Sequence, residues 1–365
     1  MNSRQKKMTL WILLSILVLG VAGVLSFLAQ PSFGKLPSGE RLERIQRSPN
    51  YRNGMFCNQI PTPMMTGEKS RWQALWDFVF GSREGLRPDK VVPVVRTNLK
   101  QLPRELNLMV WFGHSSYLLQ VDGKRILVDP VFHAAAPVSF VNRPFAGTDI
   151  FHTEDMPDID LLVITHDHWD HLDYQTVTEL REKVGKVVCP LGVGAHFEYW
   201  GYPKGQLVEL DWGEEFRYDS LVVHCLPSRH FSGRGLSSNQ TLWASFLLES
   251  ESLTLFLGGD GGYGPHFRKI GKRFPSIDWA ILENGQYSKD WKYIHILPEQ
   301  LEKIISELNA KRVVTVHHSK YALSTHPWDE PIKTAKFLRD RKKQNIFLPR
   351  IGEVLLLDTL RIKRE

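Results

Sequence analysis

The feature that most restricts the fold is an apolar run that empties into histidines. Residues 161–164 are Leu-Leu-Val-Ile, the signature of a strand buried on both faces, and they lead into Thr165-His-Asp-His-Trp-Asp-His-Leu-Asp173. Such a strand needs layers above and below it. A polar loop at its carboxyl end lies at the sheet edge, where sites are commonly built. Four potential ligands fall at the spacing H-x-H-x-D-H, and neutral imidazoles with carboxylates are a donor set that zinc favours. His166 and His168 can grip one ion while Asp170 and His171, on the turn into the next helix, reach a second.

One loop cannot fill two metal sites, so further ligands are expected at other strand ends. His230 follows an apolar strand at 221–226. Asp260 follows one at 253–257, inside Gly258-Gly-Asp-Gly-Gly262, where glycines allow close backbone approach. His317 and His318 follow one at 312–316.

Periodicity predicts further strands at 108–112, 116–121, 124–129, 186–189, 206–210, 242–249, 279–283 and 353–357. Helices are expected at 174–184, 266–273, 298–308 and 330–343. Two rounds of strands followed by helices predict an α/β sandwich, with sheets inside and helices outside. Before it, Trp72, Leu75, Trp76, Val79 and Phe80 recur at helical spacing, as in a helix packed on the core or touching lipid. Cys57, Cys189 and Cys225 lie far apart, which argues against a disulfide scaffold or a cysteine-based metal ribbon.

The amino terminus has a separate character. From Met8 to Ala29 the chain carries no charge, and 22 residues at ~1.5 Å each give a helix of about 33 Å, enough to cross a bilayer core of ~30 Å. A cleaved signal peptide normally has a shorter apolar stretch, so an uncleaved anchor is expected. Arg4, Lys6 and Lys7 precede it and predict a cytoplasmic amino terminus, with the rest of the chain beyond the membrane, on the periplasmic side of an inner membrane in a Gram-negative cell. These three residues supply half of the net charge of +6, and the remainder is too small to argue for nucleic acid. The resulting division is a membrane anchor at 1–29, a Pro/Gly-rich tether at 30–50, a lead-in at 51–105 that packs on the core, and the sandwich domain at 106–365.

Several separate motifs give this chain its resemblance. They include Phe112-Gly-His-Ser-Ser-Tyr117, Leu127-Val-Asp-Pro-Val131, Thr165-His-Asp-His-Trp-Asp-His-Leu-Asp173, Ser228-Arg-His-Phe-Ser-Gly-Arg-Gly235, Gly259-Asp-Gly-Gly-Tyr-Gly264, His295-Ile-Leu-Pro-Glu299 and His317-His-Ser-Lys-Tyr-Ala-Leu323. From about Asn50 to Leu357 the sequence resembles the metallo-β-lactamase superfamily. Within it, the branch containing N-acylphosphatidylethanolamine-hydrolysing phospholipase D and its bacterial relatives is the most similar.

The resemblance implies an αββα sandwich and two zinc ions. His166, His168 and His230 would hold one; Asp170, His171 and His317 the other, with Asp260 between them and His317 favoured over His318. Departures lie in and around the site: Asp167 and Trp169 in the histidine loop, Gly261 after Asp260, and His318, Ser319 and Lys320 after His317. Asp170 is the expected acid–base residue, with Asp129 and Asp173 fixing imidazole tautomers. His114, Trp169 and His295 are expected to meet substrate, and His295 to take part in catalysis. The implied reaction is hydrolysis of a phospholipid phosphodiester at a membrane. The alternatives are a lactonase or small-molecule phosphodiesterase of the L-ascorbate 6-phosphate lactonase type, and a non-catalytic zinc-stabilised membrane protein.

Overall fold

The computed structural model describes residues 3–67, 73, 76, 81, 84–138 and 141–358. Helix α1 (Ser3–Leu28) is 26 residues long, about 39 Å at ~1.5 Å per residue, and none of its residues is buried. It is long and apolar enough to cross a membrane. A short helix α2 (Gly39–Gln46) and a hairpin of β1 (Tyr51–Arg52) and β2 (Met55–Phe56) follow.

The segment expected as a tether is packed against the domain. Ile45 is completely buried, in a cluster with Phe56, Leu191, Leu242 and Trp243. Arg41 donates to Glu198 (2.8 Å) and Glu209 (2.6 Å), the Trp200 indole to Pro31 O (2.7 Å) and Arg234 to Ser32 O (2.8 Å). All of these partners except Phe56 lie more than 140 residues away, which is why Pro and Gly content alone suggests a linker. The lead-in also packs on the core: Leu99 is buried and Val95 N donates to Ile351 O. The helix expected near 70–80 lies outside the described residues except for Gln73 and Trp76, both helical.

Two seven-stranded sheets follow. The first holds β3 (Leu108–Trp111), β4 (Tyr117–Val121), β5 (Lys124–Val128), β6 (Ile159–Val163), β7 (Val184–Pro190) and β8 (Leu207–Leu210). The second holds β9 (Glu215–Tyr218), β10 (Leu221–Leu226), β11 (Ser245–Glu249), β12 (Thr254–Leu257), β13 (Ile277–Glu283), β14 (Ala310–Val316) and β15 (Ile346–Phe347). The last strand, β16 (Val354–Leu356), returns to pair with β3 in the first sheet. Spatial orders are β16-β3-β4-β5-β6-β7-β8 and β15-β14-β13-β12-β11-β10-β9. In each sheet three strands run antiparallel before the rest run parallel, so β3, β5 and β6 share one direction, as do β10, β12, β13 and β14.

The sheets face one another across a continuous apolar layer that includes Leu119, Leu127 and Val163 from one and Phe246, Leu255 and Trp279 from the other. The Trp279 indole donates to Leu357 O at 3.0 Å. Helices cover the outer faces: α3 (Tyr174–Leu180) and α4 (Gly194–Tyr199) follow strands of the first sheet, and α5 (His266–Arg273), α6 (Pro298–Leu308) and α7 (Glu330–Asp340) follow strands of the second. In α6 the buried residues Leu301, Ile304, Ile305 and Leu308 form one stripe. Pro298 opens that helix and Asn309, in the left-handed region at φ 52°, closes it. The helix expected over 174–184 ends early, because Arg181–Lys183 tightens to a 3-10 turn and Val184 already belongs to β7. All three cysteines are free.

Candidate metal centre

The carboxyl ends of seven strands meet at one edge of the sandwich. Leading from β3 comes His114, from β5 Asp129, from β6 the histidine loop, from β10 His230, from β12 Asp260 and from β14 His317; Glu283 is the last residue of β13. The histidine loop is pinned where it leaves its strand: Thr165 N donates to Asp129 Oδ1 (2.8 Å) and the Thr165 hydroxyl to Asp129 Oδ2 (2.7 Å). The His230 loop is braced by the lead-in, with Asn58 Nδ2 donating to His230 O (2.7 Å). His114 and His317 both sit in the left-handed region, at φ 52° and 68°, held there by His317 N donating to His114 O and His114 N to His318 O. Non-glycine residues in that region carry strain, which surrounding structure must sustain.

Asp260 is the hub. Its Oδ2 lies 3.2 Å from His171 Nε2 and 3.2 Å from His317 Nε2, 3.8 Å from His230 Nε2 and 4.0 Å from His166 Nε2. On one side His166 Nε2, His168 Nδ1 and His230 Nε2 converge, with separations from His168 of 2.8 and 3.2 Å. On the other, Asp170 Oδ2 lies 3.4 Å from His317 Nε2 and 3.6 Å from His171 Nε2. The flanking glycines serve packing against protein: a Cβ on Gly261 would stand 2.0 Å from Ser228 Oγ, and one on Gly262 2.1 Å from Tyr293 O.

Outer partners set the imidazole tautomers. His171 Nδ1 is paired with Asp129 Oδ2 at 2.8 Å and His230 Nδ1 with Ile294 O at 2.8 Å, which turns both Nε2 lone pairs inward. Asp129 is thus placed against a ligand imidazole, as expected. Asp173 is not: it accepts from His133 N and the Thr176 hydroxyl at the start of α3, out of contact with any ligand imidazole among the described residues. Glu283, absent from the sequence expectations, is buried and binds His295 Nδ1 at 2.7 Å and His317 Nδ1 at 3.3 Å, while its other oxygen accepts from Gly261 N and Ile296 N.

Charges follow this geometry. Burial opposes ionisation of Asp260 and Asp170, yet the surrounding imidazoles, His171 foremost, hold both carboxyls well below the usual range. Burial pulls His317 down as well, but Asp260, Asp170 and Glu283 outweigh it and push its pKa up to about 10. His114 is lowered to about 4 by burial and by His317, so it is neutral near pH 7.

This donor set fits a pair of divalent metal ions. Buried His171 Nε2 and Asp260 Oδ1 have no hydrogen-bond partner among the described residues, a costly state for polar atoms unless something else engages them. Imidazole nitrogens and carboxylates close to one another suit zinc and other first-row ions.

Seven of the expected residues, His166, His168, Asp170, His171, His230, Asp260 and His317, are brought together. His318 stays outside, bonded to Ser319 Oγ and packed on Trp111. His295 joins the rim, 3.9 Å from Asp260 through Nδ1. His114, expected to face substrate, is completely buried, and its Nε2–H donates to Asp170 Oδ2 at 2.8 Å, because the β3 loop folds beneath Asp170. Trp169, also expected to meet substrate, is flanked by the Phe33 ring at 5.0 Å and the Arg234 guanidinium at 4.1 Å. Asp170, whose side chain is 16% exposed, and His295, at 11%, reach solvent, as does the partly buried His168.

Residues 124–318 match the model of the beta-lactamase superfamily domain. An uncharacterised protein of Mycobacterium tuberculosis is 35% identical over 314 residues, 84% of each chain. An N-acyl-phosphatidylethanolamine-hydrolyzing phospholipase D of Caenorhabditis elegans is 30% identical over 288 residues, covering 72% of this chain and 80% of that one. Among solved structures, the metallo hydrolase Igni18 from Ignicoccus hospitalis superposes with a TM-score of 0.52 at 20% identity, over 68% of this chain and 97% of that one.

Proposed function

The chain belongs to the metallo-β-lactamase superfamily, with N-acylphosphatidylethanolamine-hydrolysing phospholipases D among its relatives, and we propose that it is a membrane-anchored, two-zinc hydrolase of phospholipid phosphodiesters. The observation that carries the reading is the shared carboxylate Asp260, flanked by an imidazole triad on one side and by Asp170, His171 and His317 on the other. The leading substrate is N-acylphosphatidylethanolamine, split into phosphatidic acid and an N-acylethanolamine. The amino terminus lies in the cytoplasm and the catalytic domain across the membrane.

His166, His168 and His230 would hold one ion and Asp170, His171 and His317 the other, with Asp260 between them. When bound, such a pair supplies an acidified water and Lewis-acid contacts for phosphate oxygens. Asp170 starts ionised and is exposed to the opening, so it can take the proton from the attacking water. As the phosphorus–oxygen bond to the N-acylethanolamine breaks, Asp170 returns that proton to the leaving oxygen. His114 holds Asp170 in orientation from below. Glu283 fixes His295 through Nδ1, which leaves His295 Nε2 for a phosphate oxygen.

The test is product analysis by mass spectrometry with zinc-loaded full-length protein in mixed micelles of N-acylphosphatidylethanolamine. N-acylethanolamine and phosphatidic acid are expected in equal amounts, and neither with His168→Ala. Metal-replete protein that yields no product from this lipid sinks the substrate assignment. Normal turnover by Asp170→Ala sinks the acid–base assignment.

A further inference from the structure

We propose that the cavity between the last turn of α1 and the histidine loop takes an acyl chain of a membrane lipid. The proposal rests on the phospholipase reading and assigns the place of the substrate's apolar part. The cavity measures about 420 Å³, in the range of pockets that hold small ligands. Its apolar lining comes from three places: Phe27 on α1, Ala134, Ala136, Pro137 and Val138 after β5, and Trp169 between His168 and Asp170; the rest of the lining, Asp173 included, is polar.

Four observations select an acyl chain as occupant. First, Phe27 belongs to a helix long enough to cross a bilayer, so this wall stands where the hydrocarbon region gives way to headgroups. Second, a continuous aromatic path leads from that helix to the metal loop. The Phe27 and Phe33 rings meet edge to face at 5.2 Å, and Phe33 meets Trp169 at 5.0 Å. Arg234 holds the Trp169 ring from beyond, and its own N–H groups are bound to Ser32 O and Leu172 O, so the wall is fixed in place.

Third, the same helix end is flanked by Leu36, 50% exposed, and Leu236, 87% exposed, both on a neighbouring cavity of about 240 Å³ with Leu28 and Phe33. Exposed leucines beside a spanning helix make a face suited to the headgroup–acyl boundary. Fourth, the wall adjoins the reacting centre. Trp169 in that wall stands between His168 and Asp170 in the chain, and Asp173, which ends the histidine loop, lines the same cavity. A small polar substrate would gain nothing from a wall built on the membrane helix.

The test uses the full-length protein in phosphatidylethanolamine/phosphatidylglycerol vesicles carrying a phosphatidylethanolamine with a diazirine in its acyl chain. After irradiation, adducts are mapped by mass spectrometry. Adducts at residues 134–138 or Trp169, competed by unlabelled long-chain lipid, are expected. Adducts confined to residues 8–26 overturn the proposal, because they report only lipid bathing the helix. In parallel, Ala134→Trp and Val138→Trp fill the cavity from two positions. Each is expected to lower the ratio of kcat/KM for long-chain over short-chain lipid at least tenfold, a ratio insensitive to the fraction of folded enzyme. An unchanged ratio in both variants also overturns the proposal. Labelling at 134–138 without lipid hydrolysis supports the cavity and refutes the phospholipase reading. Hydrolysis of lipid without labelling there does the reverse.

Discussion

Asp129→Asn isolates the role of one tautomer. The replacement is nearly isosteric, and at φ 42° the backbone at 129 lies in the left-handed region, which asparagine tolerates well. The new amide can keep the acceptor for Thr165 N (2.8 Å), and the Thr165 hydroxyl can rotate to accept. The contact that must reverse is the one to His171, where an amide N–H would donate to Nδ1 across 2.8 Å in place of a carboxylate that accepts from it. His171 must then carry its proton on Nε2, the nitrogen that faces Asp260, and Nε2–H cannot bind a metal. A charge-assisted hydrogen bond is worth about 1.5–3 kcal/mol, and loss of an outer partner costs roughly 10- to 100-fold in metal affinity, about 1.4–2.8 kcal/mol. The two ranges agree. The other site should suffer less, since His230 takes its orientation from Ile294 O and the rotated Thr165 hydroxyl can still accept from His166 Nδ1, 3.0 Å away. Competition of metal-free protein against a chromophoric chelator should resolve one equivalent near wild-type affinity and one weakened by that factor. Two equivalents both within threefold of wild type would refute the reasoning.

Three further outcomes follow from the same geometry. Glu283→Gln should lower kcat about 10- to 100-fold by releasing His295, with metal content by mass spectrometry near two per chain; unchanged kcat removes Glu283 from the positioning of His295. Raised by its carboxylate neighbours to about 10, His317 stabilises the metal-free fold below its unfolded pKa near 6.5, and that contribution is lost as pH rises through about 10. A metal must displace this proton, so affinity should climb with pH and calorimetry at pH 8 in two buffers of different ionisation enthalpy should register proton release; identical heats in the two buffers contradict it. Ile45→Ala should cost about 2–5 kcal/mol in thermal unfolding of the metal-free protein, the range for a fully buried isoleucine, whereas a silent change would mean that residues 30–50 behave as a loose linker.

The sequence is most legible where one local pattern carries the signal. The apolar run before His166, the strands ending at Leu226, Leu257 and Val316, and the stripe of α6 all lie where periodicity puts them, because burial on a sheet or helix face leaves a regular trace. Glu283 leaves none: it is a lone carboxylate ending an apolar strand, and its partners are 12 and 34 positions away. The exposed edge strand β9, with Glu215 and Arg217 facing solvent, falls below the apolar threshold that a strand normally crosses. The tether expected at 30–50 fails for a related reason. Pro31, Gly34, Pro37 and Gly39 describe how the backbone bends, while Arg41 and Ile45 are held by residues more than 140 positions distant. His114 and Trp169 are legible as members of the site, but their neighbours come from other loops, so spacing does not say which way each faces.

Each half of the ligand set is drawn from both sheets. His168 lies beside His230 across 62 positions of chain, and Asp170 beside His317 across 147. An ion held between such pairs is therefore a reversible cross-link that closes long loops, and its binding free energy is added to that of the folded chain. Chelation would remove the staple between the sheets along with the chemistry, and a chain whose two halves have failed to dock would have nothing with which to retain an ion. Loading thus doubles as an inspection of assembly, passed only after both halves have found each other.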